Sequence, residues 1–191
     1  MVTIFLSISL IRKSKMNYFE WFSLPISFSP DQAVVKSKFY ELSKKYHPDF
    51  YINQPLEKQE EILEQATLTN KAYQTLSKPE LCLPYVLSLK GLLQDGEQVQ
   101  LPPDFLLEMM DINEALMELE FEADAHKLTA LEAEIGQREA ALAKEFEHYA
   151  QDFDFLSDEN QQASLEKIKD AYFRQKYVLR IRDSLNRFAS R

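Results

Sequence analysis

The sequence predicts an all-α chain in two units, an antiparallel helical hairpin followed by a three-helix bundle. Three observations predict it. Apolar residues recur at helical spacing on both sides of His47-Pro48-Asp49 and again through the carboxyl-terminal half. No segment sustains a period-two alternation, and no Asn-Gly or Asp-Gly turn joins alternating apolar runs. The stretch from Lys90 to Pro103 holds two of the three glycines and the adjacent Pro102-Pro103, which is linker chemistry.

The first helix of the hairpin is announced by Ser29-Pro30-Asp31-Gln32, which offers a capping serine, a proline at the first helical position and a glutamine placed to close a capping box. It should begin at about residue 30, and Val35, Phe39, Leu42 and Tyr46 form its stripe. The matching stripe is Ile62, Ala66, Thr69, Tyr73 and Leu76, ending before Ser77-Lys78-Pro79. A loop of about ten residues then lets the two helices pack antiparallel. Within it, Pro48 disfavours helical dihedrals at His47 and has no N–H to donate, so the helix stops and His47 and Asp49 are displayed on a corner. The helix before the corner carries Lys36, Lys38, Lys44 and Lys45 against one acid, Glu41, in a chain of formal net charge -9. Such a basic face suggests an acidic partner surface.

The corner and its flanking helices resemble a J domain, the module that triggers ATP hydrolysis in DnaK-type chaperones. Residues 16–25, Met-Asn-Tyr-Phe-Glu-Trp-Phe-Ser-Leu-Pro, with Ala72-Tyr73-Gln74-Thr75-Leu76 and Tyr85-Val86-Leu87-Ser88-Leu89-Lys90-Gly91, are similar to the HscB family of J proteins of bacterial iron-sulfur cluster assembly. The resemblance covers residues 16–191 and divides the chain into a J domain at 16–90, a linker at 91–103 and a scaffold-binding bundle at 104–191. It implies an HscA-type chaperone that meets His47, Pro48 and Asp49 together with the four lysines. Phe50 stands where a lysine is frequent in the family, so one positive charge is missing from the tip.

The bundle reads as three helices: one from Asp104, a second from about Asp124 to Tyr149, and a third starting near Ser157-Asp158-Glu159. Leu128, Leu131, Ile135, Leu142, Phe146 and Tyr149 mark the face of the second; Leu165, Ile168, Tyr172 and Leu179 mark that of the third. The first has more apolar surface than a bundle needs. Phe105, Met109, Ile112, Leu116 and Leu119 form a core stripe, and Leu106, Leu107 and Met110 form a second patch flanked by Asp111, Glu114 and Glu118. On spacing alone that patch serves equally as a protein-binding face or as packing against the rest of the chain. The HscB resemblance implies the former: Leu106, Leu107, Met110, Asp111, Glu114 and Glu118, with Phe173 or its neighbour Tyr172, are the positions that hold the cluster scaffold IscU.

Composition narrows the alternatives. Residues 16–95 carry eight basic and ten acidic groups, and residues 96–191 eleven and twenty-one, which argues against nucleic acid as a partner. No run is apolar or long enough to span a bilayer. There is no glycine-rich phosphate loop and no nucleophile elbow, and His47, His126, His148 and Cys82 are too scattered for metal-ligand spacing, so neither an enzyme nor a metal or other cofactor is expected. The lone Cys82 fits a reducing compartment, and the bacterial cytoplasm is the expected location. Residues 1–15 place Arg12, Lys13 and Lys15 after their apolar run, the reverse of a secretory leader. A misassigned upstream start, with Met16 as the native first residue, is the expectation; a mitochondrial presequence is the alternative. The functional reading is a co-chaperone that binds a chaperone and a scaffold. A general J protein with another client, or a helical adaptor with an inactive loop, remain open.

Overall fold

The computed structural model describes residues 16–93, 100–122, 124–150, 153 and 158–189, so residues 1–15 and the Asp95-Gly96 part of the linker lie outside the described residues. Seven α-helices and one short 3₁₀ turn make up the described structure, and no strand is present among the described residues. The chain divides into two compact units between Cys82 and Leu83.

In the first unit, α1 is one turn, Tyr18–Trp21, closed by a reciprocal capping box between Asn17 and Glu20. It buries Phe19, and Phe22 follows it into the core. Helix α2 spans Gln32–Lys45 and α3 spans Leu56–Leu76. The cap of α2 is Asp31, not Ser29, and the helix starts two residues later than the capping-box reading implies. The Asp31 carboxylate accepts from the N–H groups of Ala33 and Val34, offering a charged acceptor at the positive end of the helix. Gln32 closes no capping box; its amide donates to the carbonyls of Pro30 and Leu76, tying the start of α2 to the end of α3. Phe39 stacks on Tyr73 with ring centroids 4.1 Å apart, and Val35, Ile62, Ala72 and Leu76 are buried around this antiparallel seam.

The segment after Ser77 is also helical. Helix α4, Pro79–Leu89, contains Pro84 and buries Cys82, Leu83, Val86 and Leu87. It ends in a left-handed Gly91, at φ 75°, whose N–H meets Ser88 O while Leu92 N–H reaches back to Leu87 O. This is the paired 6→1 and 5→2 pattern of a Schellman motif. Cys82 Sγ lies 3.7 Å from Ser27 O, and burial pushes its thiol up to about 11.

In the second unit, α5 (Pro103–Phe121), α6 (Ala125–Ala150) and α7 (Asp158–Ala189) form the three-helix arrangement. Pro103 opens α5, one residue before Asp104, using the position where a missing N–H costs nothing. Asp124 caps α6 by accepting from His126 and Lys127 N–H. Ser157 lies outside the described residues. The core joins Met109, Ile112, Leu116 and Leu119 of α5 to Leu131, Ile135 and Leu142 of α6 and to Val178, Ile181 and Leu185 of α7, with Phe105 and Leu128 partly buried beside them. Leu179 is not a core residue: it is 45% exposed, because the buried stripe of α7 runs from Leu165 and Ile168 through Ala171 to Val178. Along the flanks, Arg182 forks onto Glu139 at 3.1 and 2.7 Å, and Arg174 bridges Glu145 and Asp170.

Two glycines predict opposite outcomes. Gly136 lies within α6, where an added Cβ would meet Arg182 at an ordinary 3.5 Å. Gly136→Ala should therefore stabilise the fold by about 1 kcal/mol, whereas Gly91→Ala should cost about 1–2 kcal/mol from the left-handed backbone alone; urea unfolding of the two variants reads both signs. The buried Cys82 thiol should resist iodoacetamide at pH 8 in the folded protein and react at the rate of a free cysteine once urea opens the first unit.

Candidate functional site

Helix α2 ends because Tyr46, its C-cap, closes the last turn through its N–H on Leu42 O. His47 then takes the extended conformation that Pro48 imposes, with ψ at 123°, and Pro48–Tyr51 form the 3₁₀ turn. His47 Nδ1 accepts from the Asp49 N–H at 3.3 Å, an arrangement that assigns the proton of the neutral ring to Nε2. Nδ1 also lies 3.7 Å from Asp49 Oδ2, a contact that becomes an ion pair only on a protonated ring. Both side chains are exposed, as is Phe50, whose ring is 5.5 Å from that of His47.

Two residues that spacing does not single out hold this corner in shape. The Tyr51 hydroxyl donates to Lys45 O at 2.9 Å, using a carbonyl left free at the end of α2. The Gln59 amide, from the second turn of α3, donates to Ile52 O at 3.0 Å and Gln54 O at 2.8 Å. The only sequence signal for either is a hydrogen-bonding side chain near a helix end, which many exposed residues share.

The four lysines wrap the solvent side of α2 rather than forming one row. By helical spacing Lys38 and Lys45 flank one side of its buried stripe and Lys36 the other, with Lys44 between them. Lys36, Lys44 and Lys45 are exposed, while Lys38 is half-buried and ion-paired with Glu41 at 2.9 Å. Lys45 Nζ sits 5.0 Å over the Tyr46 ring, and its hydrogen bond with the Tyr46 side chain is the main cause that raises its pKa above the usual lysine value.

On α5, Leu106, Leu107 and Met110 are exposed, and so are Asp111, Glu114 and Glu118. The structure thus brings these six together on one solvent-facing helix surface. Glu118 is paired with Lys127 of α6 at 3.2 Å, and Glu108 with Arg138. Phe173 is half-buried on α7, edge-on to Tyr172 at 5.2 Å. It stands one turn before Tyr177, whose ring meets Phe105 at 5.9 Å, but its own aromatic contact is Tyr172 and not the α5 patch. Among the described residues no group of histidine, cysteine and acidic side chains could hold a metal ion.

Comparison with known proteins gives this geometry its context. Residues 17–85 match the DnaJ domain family, and residues 101–186 match the family described as the HSCB C-terminal oligomerisation domain. A co-chaperone protein HscB homolog of Vibrio cholerae is 41% identical over 102 residues, which are 53% of this chain and 60% of that protein. Another, from Vibrio vulnificus, is 37% identical over 124 residues, 64% of this chain and 72% of that protein. Among solved structures, the chaperone HscB from Vibrio cholerae superposes with a TM-score of 0.73 at 28% identity, covering 91% of this chain and 98% of that one. The human co-chaperone protein HscB gives 0.67 at 25% identity, covering 91% and 82%. The exposed corner lies inside the J-domain match and the acidic α5 surface inside the HscB-specific one, and the chain belongs to the HscB family of J-domain co-chaperones.

Proposed function

We propose that this co-chaperone stimulates the ATPase of an HscA-type, DnaK-like chaperone and delivers an IscU-type scaffold to it during iron-sulfur cluster assembly, in the bacterial cytoplasm. The observation that carries the reading is the corner itself: His47 and Asp49 stand exposed beside one another, held by Tyr51 and Gln59 at the end of a lysine-bearing helix. A rigid loop loses little entropy on docking, so its charge and hydrogen bonds act on the partner rather than on ordering the loop. Asp49 supplies an acceptor, His47 Nε2 a donor, and Lys36, Lys44 and Lys45 steer approach to an acidic surface.

In this reading residues 16–90 face the chaperone, residues 91–103 link, and residues 104–191 hold the scaffold. Leu106, Leu107 and Met110 supply the apolar contact, and Asp111, Glu114 and Glu118 the charged border, with Phe173 as a more distant member. Linking the two modules raises the effective concentration of scaffold at the chaperone. The chain itself performs no chemistry; it acts on the partner's ATP site, as fits relatives named co-chaperones.

Single-turnover ATP hydrolysis by an HscA-type chaperone is expected to accelerate with this chain, and more sharply with IscU-type scaffold also present. His47→Gln should remove at least about nine-tenths of the stimulation, a loss of more than ~1.4 kcal/mol in the coupled step, with unchanged helical circular dichroism. Acceleration indifferent to the scaffold would describe a J protein with another client. For the second contact, Met110→Lys combined with Leu106→Ala should weaken scaffold binding by at least about a hundredfold, since it places a charge in a desolvated centre; calorimetric titration showing wild-type affinity would sink the assignment of that surface.

A further inference from the structure

The apolar surface of α5 does not end at Met110. Met117 is 60% exposed and Phe121 89%, against 61% for Leu107 and 64% for Met110. At about 100° per residue, Leu106, Leu107, Met110, Met117 and Phe121 fall in one sector about 100° wide. The core residues Phe105, Met109, Ile112, Leu116 and Leu119 occupy the opposite side. The exposed five therefore share one side of the helix over about 22 Å from Leu106 to Phe121 at 1.5 Å per residue, in two groups separated by Glu114 between Met110 and Met117.

Charge says what kind of surface the strip fits. Helix α5 carries six acids, Asp104, Glu108, Asp111, Glu114, Glu118 and Glu120, and no basic residue. Arg138 and Lys127 of α6 pair with Glu108 and Glu118. Asp111 borders the strip and Glu114 interrupts it, and neither has an ion-pair partner among the described residues, unlike Glu108 and Glu118. A second copy of α5 laid against the first would bring acid against acid, which costs affinity. A partner whose apolar ridge is bordered by lysine or arginine meets both the strip and its unpaired carboxylates.

We propose that the scaffold-binding face extends along the whole of α5, with Met117 and Phe121 as contact residues that set affinity for an apolar ridge edged with basic side chains. The inference rests on the scaffold-binding reading given above and adds to it the carboxyl-terminal two turns of the helix. Phe121 is the principal anchor of that extension, because a large rigid aromatic gives the most buried area for the fewest frozen torsions.

Calorimetric titration of purified IscU-type scaffold into the full chain tests it, with Phe121→Ala, Met117→Ala and, as control for the underlying reading, Met110→Lys. Phe121→Ala should weaken binding about tenfold and Met117→Ala about threefold. Thermal unfolding should be unchanged in both, since both side chains already face water. Wild-type affinity in the two alanine variants, together with loss of binding in Met110→Lys, would end the face at Met110 and overturn the extension while leaving the functional reading intact. Wild-type affinity in all three would overturn both. Sedimentation equilibrium of the chain alone supplies the remaining arm: self-association that Phe121→Ala abolishes, with scaffold binding unaltered, would make the strip a contact between copies and overturn the proposal.

Discussion

The stacking of Trp21 on Tyr46, with centroids 5.5 Å apart, fixes the end of α2 and with it the point from which His47 departs. Trp21 is itself held by its indole N–H, which donates to Thr69 Oγ1 at 3.1 Å, and the Thr69 hydroxyl donates in turn to Gln65 O. Thr69 is fully buried, and this pair of bonds satisfies a hydroxyl that would otherwise be left unpaired at a cost of about 1–3 kcal/mol. Trp21 of α1, the C-cap Tyr46 of α2, and Thr69 and Gln65 of α3 thus share a small polar and aromatic knot. The short α1 matters for that reason: its capping box sets the direction in which Trp21 enters. The exposed loop is consequently anchored from behind by tertiary contacts and along its own length by Tyr51 and Gln59.

The chain uses charge of opposite sign on its two candidate faces. Around α2, lysines predominate within a molecule of net charge -9, so the field near the corner departs from that of the whole. On α5 every charged residue is an acid. A partner suited to one face is repelled by the other, which adds discrimination without further contacts. Both fields act over about a Debye length, roughly 8 Å at physiological salt, so they govern approach and register more than the strength of the final complex.

The parts legible in the sequence are those in which one periodicity acts alone. Val35, Phe39 and Ile62 declare their helices through spacing, and Pro48 declares the corner through its ring chemistry. Helix α4 is hidden because it is short, contains Pro84, and carries Leu81 and Leu89 on its exposed side as well as Cys82, Leu83, Val86 and Leu87 on its buried one, so polarity gives no clear period. The α2 cap goes to Asp31 over Ser29 because two capping residues stand two positions apart and only contact distances choose between them. Leu179 loses its place in the core to Val178 because a long helix drifts in phase, and adjacent apolar residues offer two equally regular continuations. At the candidate site, residue types and spacing bring out His47, Asp49 and the α5 patch. Tyr51 and Gln59 stay unseen, since their role is to meet backbone carbonyls that only the folded loop brings near.

The second unit shows how a helix can be stable while leaving an apolar side to water. Helices α6 and α7 are joined by a shared core and by the half-buried ion pairs of Arg174 and Arg182, whose forked geometry adds hydrogen bonds to charge. Helix α5 adds one buried stripe to that hairpin, and Met109, Ile112 and Leu119, almost wholly withdrawn from water, supply on the order of 1.5–3 kcal/mol each. Its opposite side contributes little to folding, because side chains that face water in the native state gain little burial relative to the unfolded chain. Folding stability therefore does not account for two leucines, two methionines and a phenylalanine all facing outward on that side. In the proposed function the scaffold contact buries them, and the acids beside them restrict which surface that contact can have.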